Sequence, residues 1–260
     1  MVLNGTSLMH RWIRVVVGVG PLALLLGCSG LPRDDAAGRS PWAEASVAPS
    51  AHVVTDLGWQ HYPLPGKTPT KFSYARRDGR DAMAVLAVSS ASMLRRNVRV
   101  EPDHLDRVRF SWKVPALIEG ADMSLRDKDD AVVRVVLAFE GDRSKFSPRD
   151  AMLSELARAL TGEEMPYATL MYVWSGKREP GSVIVNPRTD RIRKLVVESG
   201  PRRLGEWLDY ERDIRADFEK AFGEAPGALI GVGIMTDTDN TRTTATAWYG
   251  PIQLVPTAGR

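Results

Sequence analysis

Arg107-Val-Arg-Phe-Ser-Trp-Lys-Val114 decides the fold class. Val108, Phe110, Trp112 and Val114 take every second place, with Arg107, Arg109, Ser111 and Lys113 between them. Side chains of a strand alternate between two faces, so this period of two describes a strand with one apolar and one polar side. Ala131–Phe139 repeats the pattern in a more apolar form: Val133, Val135, Leu137 and Phe139 share a face, and Arg134 points the other way. Further strands are expected at Lys71–Tyr74, Ala82–Val88, Ala168–Trp174, Ser182–Val185, Ile192–Val197, Leu229–Met235 and Ala245–Leu254. Asp78-Gly79, Gly141-Asp142, Ser175-Gly176 and Asn186-Pro187 supply the turns between most of them.

Two helices interrupt this pattern. Ser147-Pro148-Arg149-Asp150 reads as an N-cap, a first-turn proline and an early acid. Met152, Leu153, Leu156 and Leu160 then form an apolar stripe that ends at Gly162. The second helix is expected over Ile214–Phe222, stopped by Gly223. Many alternating strands with few helices between them predict a mainly β domain, an antiparallel two-sheet sandwich of jelly-roll type with two short helices. A closed β-barrel is the alternative.

The amino-terminal region is a different material. Arg11 and Arg14 precede an apolar run from Val15 to Leu26, which closes on Leu25-Leu26-Gly27-Cys28, and Cys28 is the only cysteine of the 260 residues. A basic flank and a short apolar stretch describe a signal peptide. With a cysteine directly after the expected cut, residues 1–27 read as a lipoprotein signal and Cys28 as the lipidated (palmitate-bearing) residue. An ordinary secretory signal or a short membrane anchor are the alternatives; about a dozen apolar residues are too few to span a bilayer core of about 30 Å. Ser29 follows the cysteine. By analogy with proteobacterial lipoproteins, where Asp there means inner-membrane retention, the expected location is the outer membrane, facing the periplasm. Residues 28–55, rich in Ser, Pro, Ala and Gly, read as a flexible tether in which Trp42 is the one large apolar residue, suited to the lipid headgroups. Residues 56–255 are expected to form one domain and 256–260 a tail.

Charge removes one class of function. The whole chain carries +3, but residues 1–27 hold two arginines and no acid, so the remainder has 33 basic and 32 acidic residues, a net of +1. No excess positive charge is left to neutralise phosphates, and nucleic acid is not an expected partner.

Catalytic signatures are scarce. The sequence has four histidines (His10, His52, His61 and His104), no Cys-x-x-Cys or His-x-x-x-His pair, no Gly-x-Ser-x-Gly and no phosphate loop. Thr236-Asp-Thr-Asp-Asn-Thr241 follows the apolar strand Leu229–Met235, and Asp127-Lys-Asp-Asp130 precedes Ala131–Phe139. Short acids at alternate positions converge oxygens on Ca²⁺. Asp237 and Asp239, with Asp129 and Asp130 if the strands are neighbours, are therefore the candidate calcium ligands. The reading favoured over calcium is a structural turn in which these side chains accept from backbone N–H groups, and a ligand-contacting loop is a further alternative. Four carboxylates packed together need a cation or arginines such as Arg134 and Arg242. Trp174 shares its phase with Leu170 and Tyr172 and is the stronger aromatic candidate for an exposed sugar-stacking surface, whereas Trp112 is expected in the core. Tyr172 and Trp174, with the polar groups of Arg134 and Asn240, make the expected ligand-binding set.

Phe110-Ser-Trp-Lys-Val114, Asp129-Asp-Ala-Val-Val-Arg-Val-Val-Leu-Ala-Phe139, Tyr172-Val-Trp174, Asn186-Pro187 and Gly233-Ile-Met-Thr-Asp-Thr-Asp-Asn-Thr241 occur in this order. Together they resemble the bacterial family known as domain of unknown function 3047, over about residues 56–255. The resemblance implies an exported β-rich domain and supplies no activity or catalytic residues.

The expected function is an envelope-anchored, non-catalytic binding domain for a glycan or other polar envelope polymer. One alternative is a carbohydrate-active hydrolase with a carboxylate pair, for which Asp130, Glu140, Asp209 and Asp237 are the candidate acids. Another is a structural partner in an envelope protein complex. The expected partners are thus the membrane, through the lipid, and a glycan or envelope protein.

Overall fold

The computed structural model describes residues 39–47 and 58–255. The expected signal peptide, Cys28, most of the expected tether and residues 256–260 lie outside them. Thirteen strands form two sheets among these residues. The strands are β1 (Gln60–Pro63), β2 (Lys71–Arg77), β3 (Arg80–Val88), β4 (Ala91–Val100), β5 (Arg107–Lys113), β6 (Ala131–Phe139), β7 (Ala168–Ser175), β8 (Val183–Val185), β9 (Ile192–Ser199), β10 (Trp207–Asp213), β11 (Leu229–Asp237), β12 (Thr244–Tyr249) and β13 (Gln253–Val255). The seven-stranded sheet runs β1-β4-β11-β6-β7-β9-β8; the six-stranded sheet runs β10-β5-β12-β3-β2, with β13 also on β5. The chain passes back and forth between the sheets, as a jelly-roll-like sandwich requires.

The seven-stranded sheet curves as a half-barrel but does not close, so the barrel alternative falls away. One pairing departs from the antiparallel expectation: β9 inserts between β7 and β8 and runs parallel to β7. The expected strand Ala245–Leu254 is split, because Gly250-Pro251 breaks the ladder before β13 resumes against β5.

Alternation places the core. Val108, Phe110 and Trp112 of β5 meet Val133, Val135, Leu137 and Phe139 of β6, with Leu170, Tyr172 and Trp174 of β7, in one buried cluster between the sheets. Phe110 stacks on Tyr172 at 5.3 Å. Each such side chain contributes about 1.5–3 kcal/mol on full burial.

Three α-helices are present among the described residues: α1 (Pro41–Ala45), α2 (Pro148–Thr161) and α3 (Ile214–Phe222). The two expected helices carry the caps read from the sequence. The Ser147 side chain accepts from Asp150 N at the start of α2, and Gly162 and Gly223 close α2 and α3 in the left-handed conformation. α1 lies inside the stretch expected to be tether. Trp42 is wholly buried, its ring 4.7 Å from that of Trp59, so it belongs to the core and not to a headgroup layer. The chain here is anchored further where Val47 N donates to Ile252 O. A second difference concerns α2. Its expected core stripe faces outward: Met152, Leu156 and Leu160 are exposed, and the helix rests instead on buried Asp150 and Ser154 and half-buried Leu153.

Candidate functional site

The outer face of the seven-stranded sheet carries a groove of about 620 Å³. That volume lies within the roughly 300–1,000 Å³ of small-ligand sites. Because alternate residues of a strand face the same way, β4 contributes Met93, Arg95 and Asn97, and β11 contributes Gly231, Gly233 and Met235. Val136 and Ala138 of β6 and Met171 of β7 complete an apolar floor. Tyr62, Leu64 and Lys67 form one wall; Ala157 and Thr161 of α2, with Glu163 and Glu164 beyond it, form the other.

Small residues keep the floor low. A Cβ on Gly233 would lie 2.9 Å from Met93 Sδ and 3.2 Å from Leu94 O, so a side chain at this strand position would displace Met93. At Gly231 a Cβ would meet Ala138 Cβ at 3.6 Å and Arg96 O at 3.8 Å, both ordinary contacts.

One end of the groove is built from buried charge. Arg134, 3% exposed, donates to Asp237 through Nε (3.0 Å) and Nη2 (2.9 Å), and through Nη2 also to Asp129 Oδ1 (3.1 Å). Asp129 Oδ1 accepts from Lys194 Nζ at 2.6 Å, and its Oδ2 accepts from Asn186 Nδ2 at 3.1 Å. Lys194 Nζ donates as well to Met123 O at 2.9 Å. Burial pushes the Asp237 carboxyl up to about 6 despite the nearby guanidinium. Burial, and next the charge of Arg134, press the Lys194 ammonium down to about 8. Burial opposes the charge of Arg134 too, but the two carboxylates outweigh it and hold the guanidinium charged.

The remaining acids of this end are satisfied without a metal. Asp130 accepts from Asn240 Nδ2 (2.8 Å), Thr241 N (2.6 Å) and Thr241 Oγ1 (2.6 Å), and Asp239 pairs with Lys67. Oxygens of Asp130, Asp237 and Asp239 lie within 4.8 Å of one another, the arrangement expected of a calcium site. Yet Arg134, Lys67 and these N–H and O–H donors already supply the compensation that four aspartates need.

The expected ligand set is corrected. Trp174 is 2% exposed and donates from Nε1 to Gly200 O at 3.0 Å; Tyr172 is wholly buried and donates from its hydroxyl to Asp217 at 3.0 Å. Both share the inward phase of β7, so neither can stack on a sugar. Arg134 faces the groove, but its guanidinium is occupied by the aspartates, and Asn240 at the rim is engaged with Asp130. Of the four candidate acids, Asp130 and Asp237 bring oxygens within 4.8 Å of one another, while Glu140 and Asp209 belong to other parts of the fold. Glu140, exposed beyond β6, accepts from Arg99, and Asp209 lies on the six-stranded sheet with Arg80. Asp130 and Asp237 are buried and fully engaged.

The groove floor was not foreseen, because β4 was not. Ala91-Ser-Met-Leu-Arg-Arg-Asn-Val-Arg-Val100 mixes arginines into both phases and hides its alternation. The signal that was available is the pair of glycines, Gly231 and Gly233, at alternate places in an otherwise apolar strand, a mark of close approach.

Fold and site together define a class: an open two-sheet β-sandwich with a groove across its half-barrel face. More particularly, the chain belongs to the DUF3047 family, described as a protein of unknown function, which it matches over residues 57–253. No curated protein matches the chain. Among solved structures it is similar to the xyloglucanase domain of NopAA, a type three effector from Sinorhizobium fredii in complex with cellobiose. That likeness has a TM-score of 0.41 at 10% identity and covers 84% of this chain and 100% of the other.

Proposed function

We propose that this chain is a non-catalytic binding domain of the cell envelope, holding an uncharged, elongated polar polymer of glycan type in the groove. Lipid on Cys28 would fix it to the outer membrane, facing the periplasm. The observation that carries the reading is the neutral, apolar-floored groove. Lys67, Arg95, Arg134 and Arg143 each pair with a lining carboxylate, namely Asp239, Glu163, Asp129 with Asp237, and Glu164. With Arg188, which also lines the groove and donates to Arg126 O, the lining carries five cations against five carboxylates and no net charge. A sugar chain would lay the C–H faces of its rings on Met93, Met171 and Met235 and turn its hydroxyls to Asn97, Asn186 and Thr169 at the sides. With no aromatic platform on the floor, affinity comes from length of contact and not from one stacked ring.

The test is a binding screen of neutral glycans and peptidoglycan fragments against the folded chain and its Gly231→Leu variant. Gly231 lines the groove, and a Cβ added there comes no closer to backbone than Arg96 O at 3.8 Å. A bound glycan should lose about tenfold or more in affinity, equivalent to about 1.4 kcal/mol, while the melting temperature holds. Equal binding by both forms would place the ligand elsewhere.

A further inference from the structure

β12 lies between β5 and β3 only as far as Tyr249, which pairs with Trp112 on one side and Met83 on the other. Gly250-Pro251 then turns the chain, and β13 rejoins β5 alone. The first residues of β3, Arg80 and Asp81, keep a strand partner only in β2. A pocket of about 530 Å³ is lined from both sides of this break, a volume within the range of small-ligand sites. Its polar groups are held in place but not used up. Ser111 lines the pocket and is only 7% exposed, yet its hydroxyl has no hydrogen-bond partner among the described residues. A buried hydroxyl ordinarily has one. A Cβ on Gly250 would overlap that oxygen, so the glycine is what leaves the hydroxyl its place. Around it, Arg80 Nη1 donates to Asp209 Oδ1 at 2.7 Å, with its guanidinium 5.3 Å from the centre of the Trp207 ring. Arg109 Nε donates to Glu211 Oε2 at 2.6 Å. Asp81 Oδ1 accepts from the Tyr74 hydroxyl at 2.7 Å, and Gln253 Nε2 donates to Ala45 O at 3.2 Å. Each contact orients its side chain and leaves other atoms over: Arg109 Nη1 and Nη2, Asp209 Oδ2, Asp81 Oδ2 and Gln253 Oε1 bond to nothing among the described residues.

We propose that this pocket is a second binding site, one that takes a neutral sugar unit. The spare groups are donors and acceptors side by side, and a hydroxyl serves both kinds from a single atom. Ser111 and Asp209 are direct cross-strand partners and face the same way, so one ligand can touch both. A ring carrying several hydroxyls donates to Asp209, Asp81 and Gln253 and accepts from Arg109, while Ser111 does either. Every ion pair stays whole in that arrangement, Arg80 with Asp209 and Arg109 with Glu211. Because both guanidiniums are already fixed by these pairs, little side-chain freedom is lost on binding. The site lies in the six-stranded sheet and the groove on the seven-stranded one, so the inference does not rest on the groove. A domain with both sites holds two sugar chains at once.

The experiment follows the backbone amide signals of the isotope-labelled full chain as glucose, galactose or N-acetylglucosamine is added. Saturable shifts at Ser111, Gly250 and Gln253 with at least one of these sugars are the expected result. Asp209→Ala should weaken that binding about tenfold and Ser111→Ala severalfold, as for a lost hydrogen bond to a charged and to a neutral group. Gly231→Leu should leave it unchanged. Amides here that stay still with all three sugars overturn the site, whatever the groove does. Shifts that Gly231→Leu abolishes belong to the groove and overturn it too, as does an affinity that neither Asp209→Ala nor Ser111→Ala alters in folded protein. Shifts produced by free lysine and by none of the sugars make the ligand an amine and overturn the assignment. Movement here with none at Gly231 or Gly233 upholds this site and counts against the groove.

Discussion

Arg134 holds together two carboxylates that cannot reach water. Removing its charge leaves Asp129 and Asp237 buried and under-compensated, and breaking such a set costs about 3–5 kcal/mol. Arg134→Met should lower the stability measured by chemical denaturation by about that amount, although the substitute is apolar and close in length. Asp237→Asn in the same background should recover part of the loss. The two perturbed groups also give stability a pH profile. Asp237 has a folded pKa near 6, above its ordinary 3.8, so folding favours its proton and the cost of ionising it is relieved as pH falls from about 6 towards 3.8. Lys194 has a folded pKa near 8, below its ordinary 10.5, so the cost of its charge is present below 8 and is relieved as pH rises towards 10.5. Melting curves at pH 7 to 10 should therefore show the parent gaining on Lys194→Met as pH rises. A constant difference would mean that Lys194 titrates normally.

At the level of strands and helices, α1 tests how far the domain extends. Trp42→Ala should cost about 3–5 kcal/mol, as for other fully buried tryptophans, measured as a shift in the denaturation midpoint. A tether residue would cost nothing. The sequence misled here because a helix of five residues leaves no periodicity, and Ser-Pro-rich flanks carried the composition. By contrast, β5 and β6 were legible because one face of each lies against the core and the other does not, which imprints a clean alternation. β4 and β10 were illegible for the opposite reason. β4 places Arg95 and Arg96 on different faces, each with its own partner, and β10 is an edge strand whose polar residues pair with β5, as Glu211 does with Arg107 and Arg109. The caps of α2 and α3 were readable because capping is local chemistry. The orientation of α2 was not, since an apolar stripe says that something covers it but not what.

For the molecule as a whole, the site was readable in composition but not in arrangement. The Asp-Thr-Asp-Asn-Thr string and the Asp-Lys-Asp-Asp string do adjoin Arg134, yet only the pairing of β11 with β6 shows that the arginine lies between them. Adding Ca²⁺ to metal-free protein should leave the melting temperature unchanged. A rise of several degrees that Asp239→Ala abolishes would show that a cation displaces Lys67 and joins the cluster.

The charge set joins Met123 and Asp129 before β6, Asn186 before β9, and Asn240 and Thr241 after β11. None of these three connections can be redesigned alone, since a graft that exchanged one would strand its partners in the other two. Anyone recombining this domain with its relatives should move them as a single cassette, with Arg134 and Lys194 included.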